Sequence, residues 1–218
     1  MKKSTKISLI VSGASFLAFV AWTVLVKFID VRAIGPEGSS VGLATLNDAI
    51  RNLIGNNMSL YTITDWLSLI PFGFMLFFAV LGLIQWIKRK SIAKVDFSIL
   101  VLGGFYVLLM SVYLLFEYLV INYRPVLIDG VLEASYPSST TMLVLCVMTT
   151  TAIQLYDRIK CRVIRVTVIS IISEFSAFMV IGRVISGVHW FSDIIGGTLI
   201  SIALVALYFA MSNCRNKS

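Results

Sequence analysis

Six long apolar runs dominate this chain and leave few folds open to it. Each run approaches the roughly 20 residues that a helix needs to cross a hydrocarbon core of about 30 Å. Strands of a membrane barrel would alternate polar and apolar residues, whereas these runs are apolar on every face. The sequence therefore predicts an all-α, polytopic membrane protein with six transmembrane helices, at about residues 7–29, 66–87, 97–121, 139–156, 164–182 and 193–212.

The composition indicates that lipid covers much of the surface. Of the 218 residues, 58% are hydrophobic and 13% are charged, which is more apolar side chain than the core of a soluble domain could hold. No linker, low-complexity stretch or internal repeat divides the sequence, so we expect a single domain over residues 1–218. The first run is longer than the hydrophobic region of a signal peptide, and we interpret it as a retained anchor.

The net charge of +7 indicates orientation in the membrane, and we expect no nucleic-acid partner. Basic residues gather at alternate ends of the runs, and the positive-inside rule assigns those ends to the cytoplasm. Both termini are therefore predicted inside, with segments 30–65, 122–138 and 183–192 outside, in a multi-pass protein of the plasma membrane. The basic residues behind this prediction are Lys2, Lys3, Lys6, Lys88, Arg89, Lys90, Lys94, Arg158, Lys160, Arg162, Arg165, Arg215 and Lys217.

The first outer segment contains a short amphipathic pattern. Its apolar residues recur at helical spacing, and the polar residues take the opposite side, so we predict a short helix lying on the membrane surface. A helix packed over the ends of the spanning helices is the alternative. The apolar set is Leu43, Leu46, Ile50, Leu53 and Ile54, and the polar set is Asn47, Asp48, Arg51 and Asn52.

The last outer segment carries Arg183, the sole histidine His189, and Asp193. If the sixth helix begins near His189, Asp193 lies four residues on and on the same face, where its carboxylate could orient the imidazole. An imidazole so held is a competent nucleophile or base. The alternatives are structural: an interfacial histidine, an aspartate that caps the helix, and an arginine that reaches the head groups.

The middle outer segment could receive an anion. Pro137 is followed by Ser138, Ser139 and Thr140, as at the start of a helix, where free N–H groups and the positive end of the helix dipole attract phosphate. Arg124 could grip two phosphate oxygens at once. The hydroxyl groups could instead do no more than cap the helix.

In these residues the chain resembles the type 2 phosphatidic acid phosphatase superfamily, whose membrane members are six-helix lipid phosphatases. The family's first motif is Lys, six residues, Arg-Pro; Arg124-Pro125 match it, and Glu117 occupies the lysine position. Its second motif is Pro-Ser-Gly-His, which Pro137-Ser138 begin. Ser139 and Thr140 then stand at the glycine and histidine positions.

The third motif is Ser-Arg, five residues, His, three residues, Asp. Arg183, His189 and Asp193 fit it in register, and Gly182 replaces the serine. The resemblance covers residues 117–197 in motif and the whole chain in topology. It implies that His189 is the nucleophile, Asp193 its partner, and Arg124 and Arg183 the phosphate clamp.

The resemblance also implies a substrate-binding set of Ser138, Ser139, Thr140 and Glu117. Thr140 cannot replace the family's acidic histidine, because a hydroxyl group does not release its proton near neutral pH. General acid catalysis is worth roughly 10²–10⁴-fold in rate. A lipid diphosphate expels a phosphate whose second pKa is about 6, so its cleavage needs no acid.

We therefore expect a lipid phosphate or diphosphate phosphatase at the outer leaflet, acting through a phosphohistidine on a polyprenyl diphosphate or a phosphatidate-type lipid. The expected partners are that lipid and the bilayer; the oligomeric state stays open, and neither a cofactor nor a metal site is predicted. One alternative is a catalytically impaired relative that binds a phospholipid head group. A carrier is disfavoured because the ionisable residues collect at one face instead of spanning the bilayer midplane.

Overall fold

The computed structural model describes residues 3–213, and these residues fold as helices joined by short segments. Lys2, Cys214, Arg215 and Lys217 lie outside the described residues. The prediction of an all-α fold is confirmed: within 3–213 there are isolated β-bridges but no extended strand. The helices are α1 Lys3–Phe28, α2 Ala44–Ile54, α3 Met58–Leu67, α4 Leu69–Arg89, α5 Phe97–Tyr118, α6 Ser139–Arg158, α7 Arg162–Ser186 and α8 Phe191–Ser212.

Six helical stretches are long and apolar enough to cross a membrane, as predicted, so the chain is a multi-pass membrane protein. The second stretch joins α3 and α4, which meet at Ser68. It begins at Met58, so residues 58–65, the last part of the predicted outer segment, are helical. At 1.5 Å per residue its 32 residues are longer than the hydrocarbon core is thick. Part of this stretch, α3, can therefore lie at the level of the polar segments that connect the helices.

The helices α6 and α8 lie at the centre of the bundle. Half of the most apolar window of each is buried inside the protein, against about a tenth for α1 and for the α3–α4 stretch. Helix α8 packs along α1, α5 and α6, while α7 packs on α6 and α3. Because α6 and α8 begin at the same end of the bundle, which we call the site end, their first residues meet there: Ser138 N donates to Asp193 O at 3.0 Å.

Helix α2 covers part of the site end, and its orientation differs from the prediction. The sequence analysis assigns Asn47 to the polar side, opposite the apolar residues. In the structure Asn47 is buried against the start of α8, whereas Leu53 is exposed. The amide of Asn47 bonds Ser192 through both its oxygen and its nitrogen. The alternative reading, a helix packed over the ends of the spanning helices, therefore describes α2.

A hairpin joins α5 to α6. Arg124 N donates to Glu133 O at 2.9 Å, and Ser135 N donates to Asn122 O at 2.9 Å. At the tip, Asp129 and Gly130 both have positive φ, as a two-residue type I′ turn requires. The hairpin carries Arg124 to the site end.

Candidate active site

The segment between α7 and α8 presents His189. Helix α7 ends at Ser186, and Gly187 turns the chain with φ +68. A side chain at 187 would also collide with the backbone between α2 and α3, since a Cβ there would lie 2.6 Å from Gly55 O. Helix α8 begins at Phe191, close to His189 as predicted, and His189 lies two residues before the helix.

His189 is almost fully buried, and neither ring nitrogen has a hydrogen-bond partner within residues 3–213. Its Nδ1 lies 3.9 Å from Asp193 Oδ2, too long for a hydrogen bond. Burial lowers the pKa of His189 well below 6.5; the charges of Arg124 and Arg183 act in the same direction, and the backbone of Ser135 opposes them. The imidazole is therefore neutral at neutral pH, the form in which it can attack.

Asp193 caps α8 and faces His189 at the same time. Its Oδ2 accepts from the backbone N–H of Trp190 at 3.0 Å, which closes the first turn of the helix. Its Oδ1 accepts from Asn122 Nδ2 at 3.3 Å and from Ser192 Oγ at 3.4 Å. Asp193 therefore caps the helix, as the structural reading predicts, and its carboxylate also lies beside the His189 ring, as the functional reading requires.

Residues that the sequence analysis did not single out hold Asp193 in place. Asn122 bridges Asp193 and Gly42, accepting from Gly42 N at 3.1 Å. Ser192 is itself held by Asn47, whose Nδ2 donates to its Oγ at 2.9 Å. Asn122 lies two residues before the matched Arg-Pro pair, so its position along the chain could have marked it as a site residue. The sequence around Asn47 gives no such signal.

Arg183 reaches the site from the last turns of α7. Its side chain is buried, and Nη2 donates to Asp65 Oδ1 at 3.1 Å. Its Cζ lies 5.2 Å from the centre of the Tyr61 ring. Nε and Nη1 have no hydrogen-bond partner within the described chain.

Arg124 reaches the site from the hairpin. Its Nε lies 2.9 Å from Glu133 Oε2, close enough for an ion pair but without the alignment of a hydrogen bond. Nη1 likewise has no hydrogen-bond partner in residues 3–213. Glu117, at the end of α5, is exposed, and the acidic partner of Arg124 is Glu133.

The start of α6 has the capping geometry that the proline and hydroxyl residues predict. Ser138 is the N-cap, and its Oγ accepts from Thr141 N at 3.4 Å. Ser139 and Thr140 are half-buried in the first turn. The Thr141 hydroxyl is buried and has no hydrogen-bond partner among the described residues.

The site therefore gathers buried N–H groups that the protein itself does not satisfy. A buried donor without a partner is costly, and native proteins rarely keep several together unless a ligand meets them. Two guanidinium groups, a helix N-terminus and a neutral imidazole suit a tetrahedral anion. Within residues 3–213, no three His, Cys, Asp or Glu side chains are grouped to hold a metal ion.

The site is closed in this structure. The unpaired nitrogens of His189, Arg124 and Arg183 are shielded from solvent, and the cavity beside His189 has a volume of about 10 Å³. That volume holds roughly one water molecule.

Comparison with known proteins agrees with this description. The family profile described as the PAP2 superfamily matches residues 116–217, which include Arg124 and the segment from Arg183 to Asp193. No curated protein sequence matches the chain. Among solved structures, the chain is similar to a transmembrane PAP2-type phosphatidylglycerolphosphate phosphatase from Bacillus subtilis, with 20% identity, a TM-score of 0.58, and 92% of this chain and 94% of that chain covered.

The family match covers a little less than half of the sequence, and the structural likeness covers almost all of it. The resemblance to the type 2 phosphatidic acid phosphatase superfamily is thus confirmed, and the chain shares the fold of that transmembrane phosphatase.

Proposed function

We propose that this chain hydrolyses the terminal phosphate of a lipid diphosphate through a phosphohistidine at His189. One observation supports the proposal: a buried, neutral imidazole lies within the electrostatic influence of Arg124 and Arg183, and both arginines have buried N–H groups without a partner. Nδ1 faces Asp193, so Nε2 is the nitrogen left to attack phosphorus. Asp193 stabilises the positive charge that develops on the ring.

In the first step, Nε2 bonds to the terminal phosphorus, and the bond from that phosphorus to the bridging oxygen breaks. The lipid monophosphate leaves with the electron pair. The two arginines bind the equatorial oxygens as charge spreads over them. Water then attacks the phosphorus, and the P–Nε2 bond breaks with its electron pair going back to the ring. Inorganic phosphate leaves, and the proton lost by the water passes to the solvent.

The choice of a diphosphate rests on the residue at the leaving-group side. Thr140 cannot donate a proton to an alkoxide, whereas a departing phosphate needs none. Glu117 is an anion where the family has a lysine, so this position does not supply the missing positive charge either; the side chain is exposed, and Arg124 pairs with Glu133 instead. A polyprenyl diphosphate at the outer leaflet fits these requirements better than phosphatidate, and the positive-inside pattern supports the outer location.

Purified protein in detergent should release phosphate from a polyprenyl diphosphate faster than from phosphatidate or phosphatidylglycerol phosphate. His189→Ala should abolish release, and Asp129→Asn, at the exposed hairpin tip, should not change it. Substrate labelled in its terminal phosphate should label the wild type but not His189→Ala, through a bond stable to base and labile to acid. Release from the monoesters alone would refute the leaving-group argument.

A catalytically impaired relative that binds a phospholipid head group is the second candidate, and the loss of the acid at Thr140 is the observation that favours it. Such a protein would bind lipid phosphate with the same arginines. Its cellular role would survive His189→Ala and fail in Arg183→Ala, whereas a phosphatase would fail in both.

A further inference from the structure

One face of α3 lies directly on Arg183. Tyr61, Thr64 and Asp65 are three and four residues apart, so they share a side of the helix. Thr64 is fully buried at the contact with α7. A Cβ at Gly182 would lie 2.7 Å from the methyl carbon of Thr64, so α3 can approach this closely only because residue 182 has no side chain.

This close approach accounts for the departure from the third motif. The family places a serine where this chain has Gly182, and here the space of that side chain is taken by Thr64 of α3. The same contact brings Asp65 and Tyr61 to the guanidinium group of Arg183. The substitution at 182 and the two contacts of Arg183 are therefore parts of one arrangement.

The two contacts fix different motions of the guanidinium group. The ring of Tyr61, 5.2 Å from Cζ, restricts the group as a stacking partner. The bond from Nη2 to Asp65 Oδ1 sets its rotation. Because Asp65 takes only one of the five donors, Nε and Nη1 stay available.

The Asp65 contact should matter for geometry more than for stability. The Asp65 side chain is 58% exposed, and pairs that reach water in this way stabilise a fold only slightly. Arginine, in contrast, has a flexible side chain that loses rotamer entropy when it is fixed. Fixing it before the substrate binds removes that cost from binding.

We infer that Asp65 and Tyr61 are positioning residues that hold Arg183 ready for phosphate, an inference that rests on the proposed function. Neither residue needs to touch the substrate. Their effect is on the orientation of the free N–H edge of Arg183, and Gly182 is the position that lets α3 deliver them.

Kinetics and ligand binding test this inference together. Asp65→Ala and Tyr61→Leu should each lower kcat/KM by about tenfold, mainly through KM, because a misplaced clamp weakens phosphate binding. Tyr61→Phe keeps the ring and should behave like the wild type, and Asp65→Glu should recover part of the loss. Ser59→Ala, on an exposed part of α3, is the matched control.

Orthovanadate, a mimic of phosphate, separates this inference from the proposed function. It should raise the thermal stability of the wild type, and less so that of Asp65→Ala and Tyr61→Leu, while the ligand-free stabilities stay alike. If the wild type binds vanadate but hydrolyses no lipid, the proposed function fails and the vanadate shifts decide the inference. If both variants match the wild type in kcat/KM and in vanadate binding, only the inference is overturned. If the wild type neither hydrolyses a lipid phosphate nor binds vanadate, the inference and the proposed function are both overturned.

A compensating pair of substitutions provides an independent test. Gly182→Ala should push α3 away and reproduce the kinetic defect of Asp65→Ala. Adding Thr64→Ala removes the methyl group that a Cβ would meet, so the double variant should recover most of the lost kcat/KM. A double variant no better than Gly182→Ala would contradict the role given to α3.

Discussion

At the scale of single residues, the electrostatics of His189 follow from its neighbours. Two guanidinium groups and full burial oppose a third positive charge, so the ring stays neutral where an exposed histidine would begin to protonate. Asp193 lies 3.9 Å away and is already bonded to Asn122, Ser192 and Trp190. The carboxylate is thus held in place by the protein, in the position that the proposed phosphohistidine mechanism requires.

We expect the imidazole to titrate well below pH 6.5. A lowered pKa means that the neutral base form persists to lower pH. The ring therefore stays neutral as the solution is acidified through pH 6.5, and it becomes protonated only at a lower pH. His189 is the sole histidine, so NMR of protein labelled in histidine, made with a histidine-free tag, observes this ring alone. Titration at 6.5 or above would contradict the electrostatic description; the denatured protein provides the reference.

At the scale of helices and loops, α8 meets the segment that leads into α6 with almost no space between them. A Cβ at Gly196 would lie 2.6 Å from the ring of Tyr136. That ring cannot easily retreat, because its hydroxyl is 2.7 Å from Thr23 Oγ1 and its face stacks on Phe19. Helix α8 can pack this closely against Tyr136 only while residue 196 has no side chain.

Gly196→Ala should therefore destabilise the protein by about 1–3 kcal/mol, as overpacking in a filled core does. Gly104→Ala is the matched control, since it also lies in a spanning helix but a Cβ there meets nothing within 4 Å. It should be neutral or slightly stabilising, by up to ~1 kcal/mol. Thermal unfolding in detergent compares the two, and equal effects would show that the contact with Tyr136 is unimportant.

The sequence predicted some of these elements and missed others for identifiable reasons. Arg183, His189 and Asp193 were predictable together because they lie within one short segment, so their spacing alone brings them close. Asp65 and Glu133 were missed because they join the arginines only through packing of α3 and the hairpin. The hairpin was not predicted, although Asp129-Gly130 is a sequence signal for the type I′ turn at its tip.

At the scale of the whole molecule, the number and order of the spans followed from apolar length, because a bilayer imposes that length on any helix that crosses it. Orientation depends on charge outside the spans and stays a prediction. The second helical stretch begins eight residues before the predicted span, because polar side chains of α3 make contacts with α7 that a count of apolar residues does not detect.

Thiol labelling of intact cells tests the orientation. Cys161 is exposed between α6 and α7, at an end predicted to be cytoplasmic, so an impermeant maleimide should reach it only after permeabilisation. Asp129→Cys in a background of Cys161→Ser and Cys214→Ser should react without permeabilisation. The reverse pattern would place the site end on the cytoplasmic side.

The capping role of Asp193 has a consequence for how relatives of this chain are judged. A descendant that gave up chemistry would be free to change its histidine, yet it would still need a carboxylate here to begin its last helix. The presence of the aspartate therefore says little about whether such a protein is an enzyme. In a variant that lacks it, loss of activity could come from a folding defect as well as from a catalytic one. The histidine and the two arginines are the informative positions.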